Sequence, residues 1–144
     1  MRFKSVLLSV FVVSLAGGLF AAETYTVDSA HTTVGFSVRH MGISNVKGTF
    51  PAVSGTLILD EKNMAKSSVD ITIDAASVNT NNEKRDAHLQ GSDFFDVAKF
   101  PTVTFKSKSV VPSAAGYLVN GDLTMKGVTK AVSIPFTLVG PKEH

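Results

Sequence analysis

From Thr24 onward, apolar and polar residues alternate along the chain with a period of two. The clearest case is residues 69–74, in which Val69, Ile71 and Ile73 alternate with polar residues. Successive side chains of a strand point to opposite faces, so this period predicts strands with one buried and one solvated face. The pattern predicts six strands, at residues 24–40, 46–60, 67–79, 101–111, 116–126 and 129–139.

The joints between these predicted strands are short and carry turn-forming residues, as in Glu61-Lys62-Asn63 and Lys126-Gly127. Short connections favour antiparallel neighbours, because a parallel pair needs a long crossover. Pro135 has no backbone N–H to donate, which places its strand at or near a sheet edge. The predicted fold class is therefore all-β, an antiparallel meander.

The connection at residues 80–96 departs from this pattern and predicts one short helix. The spacing of Thr80 and Glu83 is that of a capping box, residues 83–90 are mostly good helix formers, and Gly91 is placed as a left-handed terminator. Because a short polar helix forms no core of its own, we expect it to lie across one end of the sheet. Leu89, Phe94 or Phe95 then points inward.

The N-terminal segment, residues 1–22, has the pattern of a secretory signal peptide. Arg2 and Lys4 precede an apolar run, and Ala21 and Ala22 offer two alternative cleavage positions. The rival interpretation is a membrane anchor, which needs about 20 apolar residues, more than this run provides. We therefore expect a single mature domain at residues 23–144, located in the periplasm or secreted.

Composition narrows the function classes further. The formal charge is +2, and removal of residues 1–22 takes away Arg2 and Lys4 but no acid, which leaves a neutral chain. A neutral chain is not expected to bind nucleic acid. The absence of cysteine excludes disulfide scaffolds, thiolate metal sites and thiol nucleophiles.

Candidate catalytic and metal-binding residues are few. Ser29 and His31 suggest a nucleophile and base, but in an extended strand their Cα atoms are ~7 Å apart, too far for a direct bond without a bend. A polar turn explains them more simply. The histidines at 31, 40, 88 and 144 show no ligand spacing, so no metal and no cofactor are expected. The residues favour a binding or structural protein over an enzyme.

Two further groups of polar residues have both a structural and a functional interpretation. His40 shares parity with Val34, Phe36 and Val38, so it is either a hydrogen-bonded rim residue or a polar group that meets a ligand at a cavity mouth. The charged residues between Glu83 and His88 resemble an acid–base cluster, but on a short helix they are more simply interpreted as its solvated face.

Motifs spread across residues 24–140 resemble the YceI-like family. Those in the first half are DSAH at 28–31, VGFSVRH at 34–40, GTF at 48–50, GTLILD at 55–60 and SVNT at 77–80. The most specific are RDAHL at 85–89, SDFFD at 92–96 and FPTVTF at 100–105, and GDLTMKGVTK at 121–130 completes the resemblance.

This resemblance implies an exported or periplasmic protein with a lipocalin-like antiparallel barrel of eight strands. It also implies a carrier that holds a long apolar chain, such as a polyisoprenoid, an isoprenoid quinone or a fatty-acyl amide, as cargo. The interior of an eight-stranded barrel is wide enough for one small ligand. Burial of the chain contributes roughly 0.8 kcal/mol per CH₂.

Parity selects the residues expected to line the interior of such a barrel, although the same residues could instead pack together as core. The expected ligand-binding residues are Val34, Phe36, Val38, His40, Val69, Ile71, Ile73, Phe94, Phe95, Val103, Phe105, Leu123, Met125, Ile134 and Phe136. Among them, Phe94 and Phe95 are expected to close one end.

The chain departs from the family pattern at its C-terminal end. The family continues for about two more strands, with a tryptophan-containing turn after the sixth, whereas this sequence stops at His144 and has no tryptophan. Six strands predict an incompletely closed barrel: a fragment, a shortened member that dimerises, or a curved open sheet. The alternative function is accordingly a sheet-edge interaction module or a self-associating protein without a lipid. Transient membrane contact and a homodimer are further expectations.

Overall fold

Residues 22–139 are described by a computed structural model and form eight β-strands, one α-helix and two 3₁₀ turns. The strands are β1 Glu23–Thr26, β2 Val34–His40, β3 Ser44–Phe50, β4 Val53–Leu59, β5 Ser68–Asp74, β6 Thr102–Ser113, β7 Gly116–Met125 and β8 Val128–Phe136. The helix α1 is Glu83–Gln90, and the 3₁₀ turns are Met64–Lys66 and Ala75–Ser77. The predicted all-β fold with one short helix in the 80–96 connection is confirmed.

The predicted number of six strands is wrong, because two of the predicted strands are interrupted. The first breaks after β1, where the Asp28 carboxylate accepts a hydrogen bond from the Ala30 amide (2.9 Å) and closes a turn. The second breaks between β3 and β4 at Pro51-Ala52. Proline has no N–H to contribute to a ladder, so it ends strand pairing locally.

The strands form two antiparallel sheets. Strands β1, β4, β5, β6, β7 and β8 lie in that order in one sheet, while β2 and β3 form a separate hairpin. The predicted meander is confirmed from β4 to β8. Strand β8, which contains Pro135, is an edge, as predicted. Within residues 22–139 the two edges β1 and β8 do not pair with each other, so the barrel is not closed.

A bulge in β6 changes which side chains point inward. Ser107 is opposite Gly121 while Ser109 is opposite Asn120, so Lys108 is an extra residue in the ladder. An extra residue reverses the alternation beyond it. The buried residues of β6 are therefore at odd positions up to Phe105 and at an even position at Val110.

The core is divided into two clusters along the inward face of the sheet. One consists of Phe50, Val53, Ile73, Ala75, Val78 and Val103. The other consists of Phe105, Val110 and Val119, and Ile71 and Leu123 pack against both clusters. No large side chain in the described part of the chain is less than 2% exposed.

The helix is anchored by a hydrogen-bonded group that includes its own charged residues. Asn82, not Thr80, is the N-cap, and its side chain accepts from the Arg85 amide (3.0 Å). Buried Thr80 donates to the Asp86 carboxylate from its amide (2.9 Å) and hydroxyl (2.6 Å). Arg85 Nε donates to Thr80 Oγ1 (2.7 Å). The predicted solvated face is therefore wrong for Arg85 and Asp86, which fix the helix to the preceding segment.

The end of the helix also differs from the prediction. Gly91 has φ −72°, so the helix ends without a left-handed residue at this position. None of the helices within residues 22–139 combines the length and the apolar character that crossing a bilayer requires.

Candidate functional site

An apolar cavity of about 320 Å³ lies on the inward face of the six-stranded sheet, beside the C-terminal end of β4. Strands β4, β5, β6, β7 and β8 each contribute to it. It is lined by Leu57, Leu59, Met64, Ser67, Ser68, Val69, Val110, Val119, Phe136, Thr137 and Leu138. We identify this cavity as the candidate functional site.

Strand register brings the walls of the cavity together. Leu57 is opposite Val69 in the β4–β5 ladder, and Val110 is opposite Val119 in the β6–β7 ladder. Residues directly opposite in an antiparallel pair share a face of the sheet. The bulge at Lys108 is what turns Val110 inward, so it creates part of the wall.

The buried hydroxyl group in the lining of the cavity, that of Ser67, already has a hydrogen-bond partner within the protein. Ser67 is buried, and its Oγ accepts a hydrogen bond from the Asp60 amide (3.0 Å). Elsewhere in the lining, the ring of Phe136 stacks on Tyr117 with 5.5 Å between the centroids. The cavity therefore favours a hydrocarbon group over a polar one.

The short edge strand β1 adds two polar side chains beside the cavity. Glu23 is opposite Leu59 and Tyr25 is opposite Leu57, so both share a face with the cavity-lining leucines. The Tyr25 hydroxyl donates a hydrogen bond to the Glu23 carboxylate, which raises the pKa of Tyr25. This polar pair therefore lies on the same face of the sheet as the cavity.

The residues selected by parity divide into three groups rather than forming one site. Two line the cavity, Val69 and Phe136. Eight lie in or against the two core clusters: Val34, Phe36, Ile71, Ile73, Phe95, Val103, Phe105 and Leu123. Five are exposed: Val38, His40, Phe94, Met125 and Ile134. Their predicted contact with a ligand stays a prediction, and the cavity brings together only the first group.

The two adjacent phenylalanines after the helix have different environments. Phe95 packs against the first core cluster, with its ring centroid 5.4 Å from that of Phe50. Phe94 is 46% exposed and lies edge-on to His88, at 4.9 Å. With Leu89 also packed against the cluster, the prediction that this segment turns an apolar side chain inward is confirmed.

Sequence reasoning missed several residues of the cavity for identifiable reasons. Val110 was missed because the bulge reverses its parity, and a bulge leaves no mark in a period-two pattern. Met64 was missed because it lies in a polar connection. Leu57 and Leu59 have the alternation of an inward-facing pair, but that signal does not separate a cavity wall from a filled core.

The polar residues near the start of the chain form an exposed turn. His31 Nδ1 is 2.7 Å from Asp28 Oδ2, and hydrogen bonds from His31 and from the Ala30 amide lower the pKa of Asp28. No hydrogen bond joins Ser29 to His31 in this turn, so the structure does not support these two residues as a nucleophile and its base. In residues 22–139, no group of three or more histidines and carboxylates is placed to hold a metal ion.

Comparison with known proteins gives consistent results at the levels of sequence and fold. A UPF0312 protein of Vibrio parahaemolyticus is 40% identical over 141 residues, covering 95% of this chain and 75% of the relative. The YceI protein of Escherichia coli is 42% identical over 127 residues, covering 87% of this chain and 66% of the relative.

Among solved structures, BcnA of Burkholderia cenocepacia has a TM-score of 0.76 at 30% identity, with 81% of this chain and 73% of that chain covered. The YceI protein of Campylobacter jejuni has a TM-score of 0.59 at 42% identity, with 76% of this chain and 64% of that chain covered. The chain thus spans about two thirds to three quarters of the length of these relatives. The profile of the YceI-like domain matches residues 25–143, and the chain therefore belongs to the YceI-like family.

Proposed function

We propose that this protein is a carrier that holds a long apolar chain in the cavity beside β4. The observation that carries the proposal is the cavity itself, about 320 Å³ in volume and lined mainly by apolar side chains, with no charged residue in its lining. Membership in the YceI-like family supports it. The proposed cargo is a polyisoprenoid, an isoprenoid quinone or a fatty-acyl amide.

The size of the cavity determines how such a chain is held. A volume of about 320 Å³ is near the lower end of small-molecule pockets, so it takes one segment of a long chain and leaves the rest outside. Each buried methylene stabilises the complex by roughly 0.8 kcal/mol. The carrier function needs no bond to be made or broken, and therefore no catalytic group or cofactor.

Export is part of this proposal. The proposed signal peptide, residues 1–22, falls almost wholly outside the described residues, and its support is the sequence pattern alone. Cleavage after Ala21 or Ala22 places the domain of residues 23–144 in the periplasm or outside the cell. Mass spectrometry of the protein recovered from the periplasm or the medium is expected to give an N-terminus at Ala22 or Glu23. An intact N-terminus on membrane-bound protein would contradict it.

Cargo is tested by native purification, solvent extraction and mass spectrometry, followed by uptake of a fluorescent fatty-acyl amide by the delipidated protein. We expect a co-purifying apolar chain and saturable uptake. Leu57→Trp, inside the cavity, is expected to abolish uptake. Ile58→Trp is the matched control, because Ile58 is the next residue of β4 and points to the opposite, exposed face.

Two results would overturn the carrier proposal. One is native protein that contains no apolar chain and takes none up. The other is equal uptake by the Leu57→Trp and Ile58→Trp proteins with unchanged thermal unfolding, because a ligand in the cavity cannot share its space with an indole ring.

A second candidate function is self-association through a sheet edge. Its supporting observation is the outer edge of β8, which pairs with no strand in residues 22–139 and exposes Val128 and Ile134. Unpaired strand edges favour pairing with another chain. Analytical ultracentrifugation tests it: a dimer that Ile134→Lys dissociates would support this function, and a monomer at all concentrations would reject it.

A further inference from the structure

The hairpin of β2 and β3 ends in a turn that exposes two large apolar side chains. Met41 is 85% exposed and Ile43 is 91% exposed, the highest value among the large exposed hydrophobic residues of the described chain. Val38, on the adjoining part of β2, is 56% exposed. Such exposure at a projecting turn is unfavourable in water and marks a surface that contacts something apolar.

The turn itself is held in a defined conformation. Met41 and Gly42 have φ values of 50° and 73°, and the Ile43 amide donates to the His40 carbonyl oxygen (3.1 Å). Arg39 Nη2 reaches the Gly42 carbonyl oxygen at 3.4 Å. A hydrogen-bonded turn and the paired strands β2 and β3 therefore hold the apolar side chains of Met41 and Ile43 in place.

One face of the hairpin carries two valines beside the His40–Ser44 pair, and the other face carries two cations. Val38 is opposite Val46, and these two share one face. Ser37 is opposite Lys47 and Arg39 is opposite Asn45, so Arg39 and Lys47 lie on the other face. This arrangement places two cations behind the apolar tip.

Among the residues that the structure describes, these two cations have no acidic partner. The ion pairs of residues 22–139 are formed by other residues, and no carboxylate within that range lies within 4.0 Å of Arg39 or Lys47. The sequence contains no Asp or Glu between Asp28 and Asp60. The whole hairpin therefore carries uncompensated positive charge around its apolar tip.

We propose that the tip of the β2–β3 hairpin is a docking surface for an anionic phospholipid bilayer. Met41 and Ile43 enter the boundary between headgroups and acyl chains, while Arg39 and Lys47 contact lipid phosphates. Apolar insertion combined with attraction to anionic lipid is the usual basis of interfacial binding. A second copy of this chain fits the tip less well, since it would bring like charges together.

This inference goes beyond the carrier function and is tested separately from it. The hairpin joins the large sheet at Val53, whereas the cavity lies beside Leu57 and Leu59. Changes at the tip therefore leave the lining of the cavity intact. Cargo uptake and membrane docking are measured in different assays, and either one can fail alone.

The test is flotation of the protein with vesicles of phosphatidylcholine alone and of phosphatidylcholine mixed with phosphatidylglycerol. The protein begins at Ala22, so that the apolar run at residues 6–20 contributes nothing. In the variant Met41→Asn/Ile43→Thr, an Asn-Gly pair occupies the positive-φ positions, which preserves the turn while removing the apolar tip. A second variant, Arg39→Gln/Lys47→Gln, removes the charges. Val111→Thr, at an exposed β-branched residue on β6, is the matched control.

We expect the wild type and Val111→Thr to float with phosphatidylglycerol vesicles only. Binding is expected to fall about tenfold or more in each double variant, because two apolar groups or two cations are lost, and to weaken with added salt. No binding by the wild type, or equal binding by Met41→Asn/Ile43→Thr, would overturn the proposal. So would a wild-type dimer, formed without vesicles, that this variant dissociates.

A fluorescence measurement gives an independent readout. The sequence contains no tryptophan, so Ile43→Trp introduces a single fluorophore at the tip. We expect its emission to shift to shorter wavelength with phosphatidylglycerol vesicles, while Ile58→Trp does not respond. An unshifted spectrum at Ile43→Trp would contradict insertion of the tip.

Discussion

The ring of Phe105 occupies the space that a side chain at Gly121 would take. A methyl group at Gly121 would lie 2.7 Å from Phe105 Cζ and would collide with the carbonyl oxygen of Lys106 on the neighbouring strand. Phe36 has the same relationship to Gly48 in the β2–β3 hairpin. Both rings therefore pack directly over a glycine on the adjacent strand.

The first prediction concerns this contact. Gly121→Ala is expected to lower the free energy of unfolding by about 1–3 kcal/mol, because the added methyl group forces the ring and backbone to shift. Gly35→Ala is the control, since its nearest neighbour would be the Gly48 carbonyl oxygen at an ordinary 3.8 Å. Urea unfolding measures both proteins. Equal midpoints and slopes would contradict the contact between Phe105 and Gly121.

The second prediction concerns the anchor of the helix. Asp86→Ala is expected to lower the free energy of unfolding by about 1–3 kcal/mol, because the Thr80 amide and hydroxyl lose their acceptor at a buried position. Asp86→Asn keeps a side-chain acceptor and is expected to lose less. Lys84→Ala, an exposed change on the same helix, is the control. If thermal unfolding ranks the Lys84 and Asp86 alanine variants equally, the anchor has no energetic role.

The third prediction is a pH effect at the edge of the cavity. The hydrogen bond to Glu23 raises the pKa of Tyr25 above its ordinary value of 10.0, because it favours the neutral phenol. The stabilisation of the folded protein by this hydrogen bond is therefore fully present below pH 10.0 and is lost as the pH rises through the raised pKa of Tyr25. Ultraviolet titration of the tyrosine phenolates measures the pKa of Tyr25, and Tyr25→Phe assigns the signal. Glu23→Gln is expected to lower this pKa, and an unchanged value would contradict the bond.

The fourth prediction is a pH effect of opposite sign in the turn after β1. Hydrogen bonds from His31 and the Ala30 amide hold the pKa of Asp28 below its ordinary value of 3.8. The stabilisation is therefore present above pH 3.8 and is lost as the pH falls through the lowered pKa. Carboxyl NMR titration measures it directly. His31→Ala is expected to raise the pKa of Asp28, and no change would show that the pair does not persist in solution.

Local signals account for what could be predicted about the fold. The period-two pattern predicted the strands of the β4–β8 meander because a strand's alternation is a property of its own residues. The helix Glu83–Gln90 was predicted from composition and capping residues, although Asn82 rather than Thr80 is the cap. The strand breaks at Asp28 and Pro51 were missed because apolar and polar residues alternate on both sides of each break. The inward positions nevertheless change from odd at Val27 to even at Val34, and from even at Phe50 to odd at Val53.

The cavity was predictable only in part, for a geometric reason. Parity identified Val69 and Phe136 as inward-facing, and both line the cavity. Phe105 has the same parity but packs in the core, because the missing side chain at Gly121 leaves room for its ring. Whether an inward side chain lines a space or fills it depends on residues of other strands.

The sequence alone determined the antiparallel strands, the place of the helix and the family, because each depends on residues close together in the chain or on motifs read in order. Only the tertiary structure decided where the interior is empty. The bulge at Lys108 turns Val110 inward, and the pairing of β4 with β5 brings Leu57 opposite Val69. A cavity is a property of several strands packed together, so no single stretch of sequence contains it.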